Sequence, residues 1–228
     1  MAKVKYHNVE SESDVTKALA KIIQKNLDQN KKVTWFISGG SSIPIAAKAS
    51  TLLRDHNETN LLATLVDYKP GVPQDHANWE KLWAAGFNLR PKQCEAIIQG
   101  DSDIRVVVDR FSNYIHEGVV WADVLIGQFG LGEGFHTGGI LPHSPAAVSK
   151  ELVCGYEENG TGHLTITPVL IEKINYPFIN SMGEGKRQII NNFLSSRASI
   201  EQEPTQALKK STRTLLYSDM LYCVRLRK

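Results

Sequence analysis

A histidine in a glycine-rich segment is the strongest catalytic candidate in this 228-residue sequence. Residues 130–142 place five glycines around His136, together with Glu133 and Thr137. Glycines keep bulky side chains away from a small ligand, and their backbone N–H groups can stabilise a developing negative charge. Histidine titrates near neutral pH, which suits general-base catalysis. The segment therefore predicts that His136 transfers a proton during catalysis. A zinc site is disfavoured, because the next histidine, His143, lies seven residues further on.

A second candidate site consists of serines and glycines that follow an apolar run and precede a predicted helix. Its residues are Ser38-Gly39-Gly40-Ser41-Ser42. The free N–H groups and the positive dipole end of the helix would face this loop, and the hydroxyls add hydrogen-bond donors. This chemistry suits a phosphate group, although the GxxxxGK[ST] pattern of a Walker A loop is absent. An ordinary strand-to-helix turn fits the same residues equally well.

Two further segments offer charged groups. Asp67-Tyr68-Lys69 follows another apolar run, and Gly183-Glu184-Gly185-Lys186 precedes a predicted helix. The glycines before Lys186 predict an anion site at the start of that helix. A solvated helix start is the favoured alternative for this last segment.

Composition limits the class of protein. Hydrophobic residues make up 42% and charged residues 22%, which is typical of a globular domain. The net charge of +2 is too balanced to indicate a nucleic-acid partner. The three cysteines form no CxxC pair, so a zinc ribbon or a disulfide framework is not expected. No apolar run reaches the ~18 residues of a membrane span, and the N-terminus lacks a signal-peptide pattern. We therefore expect a cytoplasmic protein with no membrane partner.

Strand-like and helix-like segments alternate along the chain. Apolar and β-branched runs predict strands at residues 4–7, 33–37, 61–66, 122–127, 163–167 and 221–226. Helical spacing predicts helices at residues 13–27, 45–54, 78–85, 104–115 and 186–194, although residues 106–108 also fit a strand. Residues 176–180 predict at best a short, irregular strand, because Pro177 cannot donate to a ladder. The alternation predicts an α/β fold: a mostly parallel, Rossmann-like sheet with helices on both faces, in a single domain over residues 1–228.

The predicted sheet also predicts where the candidate residues meet. In a parallel α/β sheet, ligands bind at the carboxyl ends of the strands. The loops that begin at Ser38, Asp67 and Gly130 each follow a predicted strand directly. We therefore expect these three loops to form one site.

Taken together, the motifs resemble those of the 6-phosphogluconolactonase family, which is related to the glucosamine-6-phosphate deaminases. Five family motifs have counterparts in the same order along the chain. The family's S-G-G-S-T-P corresponds to residues 38–44, its D-E-R with V-P, D-H and S-N to residues 67–78, its G-x-G-x-D-G-H-T-A-S-L-F-P to residues 130–142, its R-I-T-L-T to residues 163–167, and its G-x-x-K to residues 183–186.

This resemblance implies hydrolysis of 6-phosphogluconolactone in the pentose phosphate pathway. His136 would take a proton from the water that attacks the lactone carbonyl. Glu133, one residue before the position of the family's aspartate, would compensate for the absence of that carboxylate. The substrate-binding residues implied are Ser38, Gly39, Gly40, Ser41, Ser42, Asp67, Lys69, Asn78, Gly132, Thr137, His163 and Lys186. No metal or organic cofactor is implied. The expected partner is a phosphorylated sugar lactone, and the protein is expected to be a monomer or homodimer.

The sequence departs from the family motifs at several site positions. Gly134 replaces the aspartate that precedes the catalytic histidine by two residues, and Phe135 replaces the glycine between them. Lys69 and His163 each replace an arginine, and Tyr68 replaces a glutamate. Lysine keeps the charge of arginine but loses its bidentate geometry.

Two alternatives remain open. A deaminase or isomerase would need further carboxylates, but its motif glutamate corresponds to Leu141 and its acidic pair is broken at Tyr68. A non-catalytic sugar-phosphate-binding protein on the same fold is the second alternative, and Gly134 is the residue that favours it.

Overall fold

A parallel sheet organises the computed structural model, which describes residues 4–53, 59–70, 77–89, 104–211 and 213–220. The strands are β1 (Lys5–Asn8), β2 (Val33–Ile37), β3 (Leu61–Leu65), β4 (Asp67–Tyr68), β5 (Val124–Phe129), β6 (Val153–Glu158), β7 (Thr161–Ile166), β8 (Tyr176–Asn180) and β9 (Leu215–Ser218). The helices are α1 (Glu12–Leu27), α2 (Ser42–Leu52), α3 (Asn78–Ala84), α4 (Ile104–Trp121), α5 (Pro145–Val148), α6 (Pro168–Lys173) and α7 (Arg187–Ser195).

Six strands form the main sheet in the order β1-β9-β8-β5-β2-β3. Every neighbouring pair in this sheet is parallel. A smaller antiparallel sheet has the order β4-β7-β6. Its strand β7 contains residues 163–166 of the predicted strand 163–167, which we did not assign to a separate sheet.

Buried side chains on the two faces of the main sheet form two core clusters. In β2, Trp35 and Ile37 pack in the cluster that includes residues of α1, α2 and α3. Phe36 points to the opposite face, into the cluster with residues of α4, α5, α6 and α7. This alternation is the two-residue period of a strand buried on both faces. The predicted α/β fold, with helices on both faces of a mostly parallel sheet, is confirmed.

The expectation of an irregular strand at residues 176–180 was wrong. β8 lies inside the main sheet, with β5 on one side and β9 on the other. Pro177 pairs in register with Gly127 of β5, whereas the register with β9 begins only at Phe178. The proline therefore stands one residue before the second ladder, where a missing N–H is tolerated.

The last strand of the sheet also differs from the prediction. It is β9, which the sequence pattern did not indicate, and the predicted strand at 221–226 lies outside the described residues. The ambiguous segment 106–108 belongs to α4 and is therefore helical. None of the described helices has both the length and the apolar character needed to cross a membrane.

The strand order creates a crevice between β2 and β5. β3, the next strand along the chain, pairs with one edge of β2, and β5, which comes later in the chain, pairs with the other edge. The loops that follow β2 and β5 therefore leave the sheet in different directions at its carboxyl edge. Such a switch point is where open α/β sheets bind their ligands.

Candidate active site

A cleft of about 510 Å³ opens at this switch point. It is lined by the loops after β2, β3 and β5, by the start of α3, by β7 and by the turn before α7. All but one of the residues that the sequence predicted for the site line the cleft: Ser38, Gly39, Gly40, Ser41, Asp67, Lys69, Asn78, Gly132, Glu133, His136, Thr137, His163 and Lys186. The three candidate loops thus meet as expected from the topology.

Ser42 is the exception. It occupies the first turn of α2, is fully buried, and does not line the cleft. Its hydroxyl donates a hydrogen bond to Asn180 Oδ1 at 3.1 Å. The expected direct contact with a ligand is therefore corrected: the Ser42 side chain points into the protein beneath the loop.

The ring of His136 is fixed on two sides. Its Nδ1 atom lies 2.6 Å from the backbone carbonyl oxygen of Glu133. Because a carbonyl only accepts, this contact assigns the proton of the neutral ring to Nδ1 and leaves the lone pair on Nε2. The ring also lies against Gly132, where an added Cβ would come within 2.3 Å of Nε2 and Cε1. The half-buried imidazole is therefore held in the cleft, and Nε2 is the proton-accepting nitrogen of its neutral form.

A tight turn over Glu133–Phe135 produces this arrangement. Gly134 and Phe135 both have positive φ, at 70° and 65°. A phenylalanine in the left-handed region is strained, at a cost of about 1–2 kcal/mol. Phe135 packs against the core cluster that includes α7, and this packing offsets the strain. The turn that carries the Glu133 carbonyl is thus anchored to the core through Phe135.

Residues 38–41, which we call the anion loop, connect β2 to α2. Gly40 has a φ of 62°, which favours glycine. Gly39 is needed for a different reason, since an added Cβ would lie 2.6 Å from Asn78 Nδ2. Among the described residues, the N–H groups of Gly39, Gly40 and Ser41 have no hydrogen-bond partner. Together with the start of the 11-residue helix α2, these groups suit an anion.

Within the part of the chain that the structure describes, three lysines line the cleft: Lys69, Lys81 and Lys186. The ammonium group of Lys186 donates to the Leu131 carbonyl at 2.9 Å, one residue from Gly132. Sequence reasoning missed Lys81. The sequence could have indicated Lys81, because it stands three residues after Asn78 on a predicted helix and residues with this spacing share a helix face.

Two further titratable groups lie in the cleft. Asp67 is buried, and burial raises the pKa of its carboxyl to about 6, although Lys69 acts in the opposite direction. Burial lowers the pKa of His163, and the charge of Lys69 lowers it further. The His163 ring stacks on Tyr156 with centroids 4.9 Å apart, and the Tyr156 hydroxyl donates to the Gly139 carbonyl at 2.6 Å. These contacts fix the β7 wall of the cleft.

Among the described residues, no three His, Cys, Asp or Glu side chains gather in a way that could hold a metal ion. The Asp75-His76 pair of the family resemblance lies outside the described residues.

Solved structures share this fold across nearly the whole chain. A 6-phosphogluconolactonase from Shewanella baltica superposes with a TM-score of 0.79 at 17% identity, covering 95% of this chain and 98% of that one. The 6-phosphogluconolactonase from Plasmodium vivax gives 0.78 at 15% identity, with coverages of 96% and 90%. That from Trypanosoma cruzi gives 0.74 at 17% identity, with coverages of 97% and 98%. At such identities the similarity establishes the fold. No curated protein matches the chain by sequence.

The sheet order and the cleft at its switch point define a mostly parallel α/β protein with a candidate site at the carboxyl edge of its main sheet. The sequence model of the glucosamine-6-phosphate isomerases/6-phosphogluconolactonases matches residues 7–217. The chain therefore belongs to this family.

Proposed function

We propose that this protein hydrolyses 6-phosphogluconolactone to 6-phosphogluconate, with His136 as the general base. The observation that carries the proposal is the 2.6 Å contact between His136 Nδ1 and the Glu133 carbonyl. It leaves Nε2 as a proton acceptor in a cleft that also contains a phosphate-type loop and three lysines. A base and an anion site in one cleft are what a phosphorylated lactone requires.

The chemical step follows from the state of the imidazole. Nε2 of His136 takes a proton from water as the water oxygen bonds to the lactone carbonyl carbon. The carbonyl oxygen becomes an oxyanion, which glycine N–H groups of the loop after β5 can stabilise. The bond from the carbonyl carbon to the ring oxygen then breaks, and the imidazolium returns its proton to that oxygen. The product is an open-chain carboxylic acid, which releases its proton to solvent to give the carboxylate of 6-phosphogluconate, and atoms and charges balance without a cofactor.

The phosphate is assigned to the anion loop and Lys186, because the two lie on one side of the cleft. An added Cβ on Gly130 would lie 3.6 Å from Ser41 Oγ, so the loops after β2 and β5 are adjacent. The ammonium group of Lys186 donates to the carbonyl of Leu131, which directly follows Gly130 in the chain. A phosphate held there contributes binding energy remote from the reacting carbonyl, which positions the lactone near His136.

A second candidate function is an amino-sugar-phosphate isomerase or deaminase. The buried Asp67 favours it, because a carboxyl with a pKa of about 6 is suited to moving protons between carbon atoms. Leu141 lines the cleft at the position where the deaminase motif has a glutamate, and it offers no second carboxylate. We therefore place lactone hydrolysis first.

The proposal is tested by a stopped assay on freshly prepared 6-phosphogluconolactone, corrected for spontaneous hydrolysis. Unphosphorylated gluconolactone serves as the matched control substrate. The expected result is a higher kcat/KM for the phosphorylated lactone. Ammonia release from glucosamine 6-phosphate without lactone hydrolysis would support the deaminase. Binding of 6-phosphogluconate with no rate above the spontaneous one would support a non-catalytic binding protein.

A further inference from the structure

A buried polar cluster lies directly beneath the anion loop. It consists of Gln128, Asn180 and Ser42, which are 0%, 2% and 0% exposed. These residues stand near the carboxyl end of β5, at the carboxyl end of β8 and in the first turn of α2. None of them lines the cleft, so the proposed reaction does not use them directly. Buried polar side chains at such a position need an account of what they do.

Gln128 bonds both ends of the anion loop. Its backbone carbonyl accepts from the N–H of Ser38 at 3.0 Å. Its side-chain amide donates to the carbonyl of Ser42, also at 3.0 Å. Gln128 thus bonds Ser38, the first residue of the anion loop, and Ser42, which directly follows the loop. The separation of these two ends sets where the loop N–H groups point.

Asn180 fixes the orientation of the Gln128 amide. Its Oδ1 atom accepts from Gln128 Nε2 at 3.3 Å and from the Ser42 hydroxyl at 3.1 Å. With two acceptors on one side, Gln128 Nε2 must face them, and the opposite amide orientation would bring oxygen against oxygen. The bond to the Ser42 carbonyl is therefore specified by the cluster.

The Gln128 amide stabilises the fold less than an apolar side chain of similar shape would. Its Oε1 atom is buried and has no hydrogen-bond partner among the described residues. An unsatisfied buried acceptor carries a desolvation penalty that an apolar side chain of similar shape avoids. An apolar residue at this position could not donate the hydrogen bond to the Ser42 carbonyl at the end of the anion loop.

We propose that Gln128 is a positioning residue that sets the anion loop for phosphate and so favours phosphorylated over unphosphorylated ligands. This inference rests on the phosphate role assigned to the loop under the proposed function. It predicts that removing the Gln128 amide weakens phosphate recognition without weakening the fold.

The test replaces the amide with an apolar side chain of similar length, in Gln128→Met. We expect the Kd for 6-phosphogluconate, measured by calorimetry, to rise about fivefold to tenfold, corresponding to one lost hydrogen bond. The Kd for unphosphorylated gluconate should stay unchanged, and the KM for 6-phosphogluconolactone should rise with little change in kcat. The Tm should stay at or above the wild-type value.

Thr34→Val is the matched control. Thr34 is also a buried polar residue, but its hydroxyl bonds the Gly118 carbonyl, and it does not line the cleft. This variant should keep the wild-type Kd for 6-phosphogluconate. A loss of affinity in both variants that follows their loss of Tm would overturn the positioning role.

Asn180→Leu provides a second variant, which removes the acceptor that orients the Gln128 amide. We expect a smaller rise in Kd, about twofold to threefold, and no added loss in the double variant. An unchanged Kd in both single variants contradicts the inference. If the wild-type protein binds 6-phosphogluconate but hydrolyses no lactone, the proposed function fails, while the Kd comparison still tests Gln128.

Discussion

The backbone carbonyl of Glu133 lies 2.6 Å from Nδ1 of His136. In the related family motif, an aspartate stands at the position of Gly134, and orienting the imidazole is a task suited to such a carboxylate. Here a carbonyl at a strained turn contacts the ring instead, and a carbonyl cannot be protonated in the neutral pH range. The orientation of His136 therefore depends on backbone geometry more than on a neighbouring charge.

Glu133→Gln tests whether the carbonyl or the side chain of Glu133 matters. The side chain is exposed, and the contact to His136 comes from the backbone. We expect kcat to change by less than about threefold, since exposed charges contribute little. The measurement is kcat on 6-phosphogluconolactone over a range of pH. A drop of the size expected for removing His136 itself would assign the role to the carboxylate.

Gly132→Ala is expected to displace the imidazole. The new Cβ would lie 2.3 Å from two ring atoms, so the ring must move. A displacement of about 1 Å from the reacting geometry can lower kcat about 10²-fold. The anion loop is not changed, so the Kd for 6-phosphogluconate should stay near the wild-type value. A wild-type kcat in this variant would show that the observed ring position is not the reactive one.

Lys81→Ala tests a cleft residue that the sequence did not reveal. Lys81 lines the cleft on α3, one turn after Asn78. We expect the KM for the phosphorylated lactone to rise about fivefold, as for the loss of one charge-assisted hydrogen bond. The KM for unphosphorylated gluconolactone should not change. Lys173→Ala removes an exposed lysine outside the cleft and should leave both KM values unchanged. An equal rise for the two substrates would exclude a phosphate role for Lys81.

Asp67→Asn is expected to stabilise the protein at neutral and higher pH. Burial raises the pKa of the Asp67 carboxyl from 3.8 to about 6, so between these values the folded protein binds more protons than the unfolded chain. The free energy of unfolding therefore falls as the pH rises through this interval, by about 3 kcal/mol in total. The amide in the Asp67→Asn variant does not ionise, so the variant's free energy of unfolding does not fall in this way.

Urea unfolding of the wild type and Asp67→Asn at about pH 3.5 and about pH 8 measures this difference. The variant should gain stability over the wild type at the higher pH and much less at the lower one. An equal difference at both pH values would show that the Asp67 carboxyl is not buried in an unfavourable charged state.

The part of the site that the sequence predicted is the part that topology determines. Parallel strands end at a common edge, so the loops beginning at Ser38, Asp67 and Gly130 were expected to meet, and they line one cleft. This inference needed only the order of strands and loops along the chain.

The remaining features depend on packing that a linear pattern does not show. Ser42 belongs to a serine-rich motif, but the first turn of α2 directs its side chain inward. Gln128 is the polar residue of an otherwise apolar buried strand, and nothing in the sequence indicates which groups it bonds. Pro177 suggested a broken strand, whereas the register of β8 places it before the second ladder. The antiparallel sheet was missed because no strand was predicted at residues 153–158, where β6 pairs with β7.

The most direct test of the central claim compares His136→Asn with His143→Asn on 6-phosphogluconolactone. His143 is an exposed histidine that faces Glu201 and does not line the cleft, so its replacement is a matched control. We predict that His136→Asn lowers kcat at least about 10²-fold while its Kd for 6-phosphogluconate stays close to the wild-type value. His143→Asn should retain the wild-type kcat. Equal kcat values in the wild type and His136→Asn would contradict the assignment of His136 as the base.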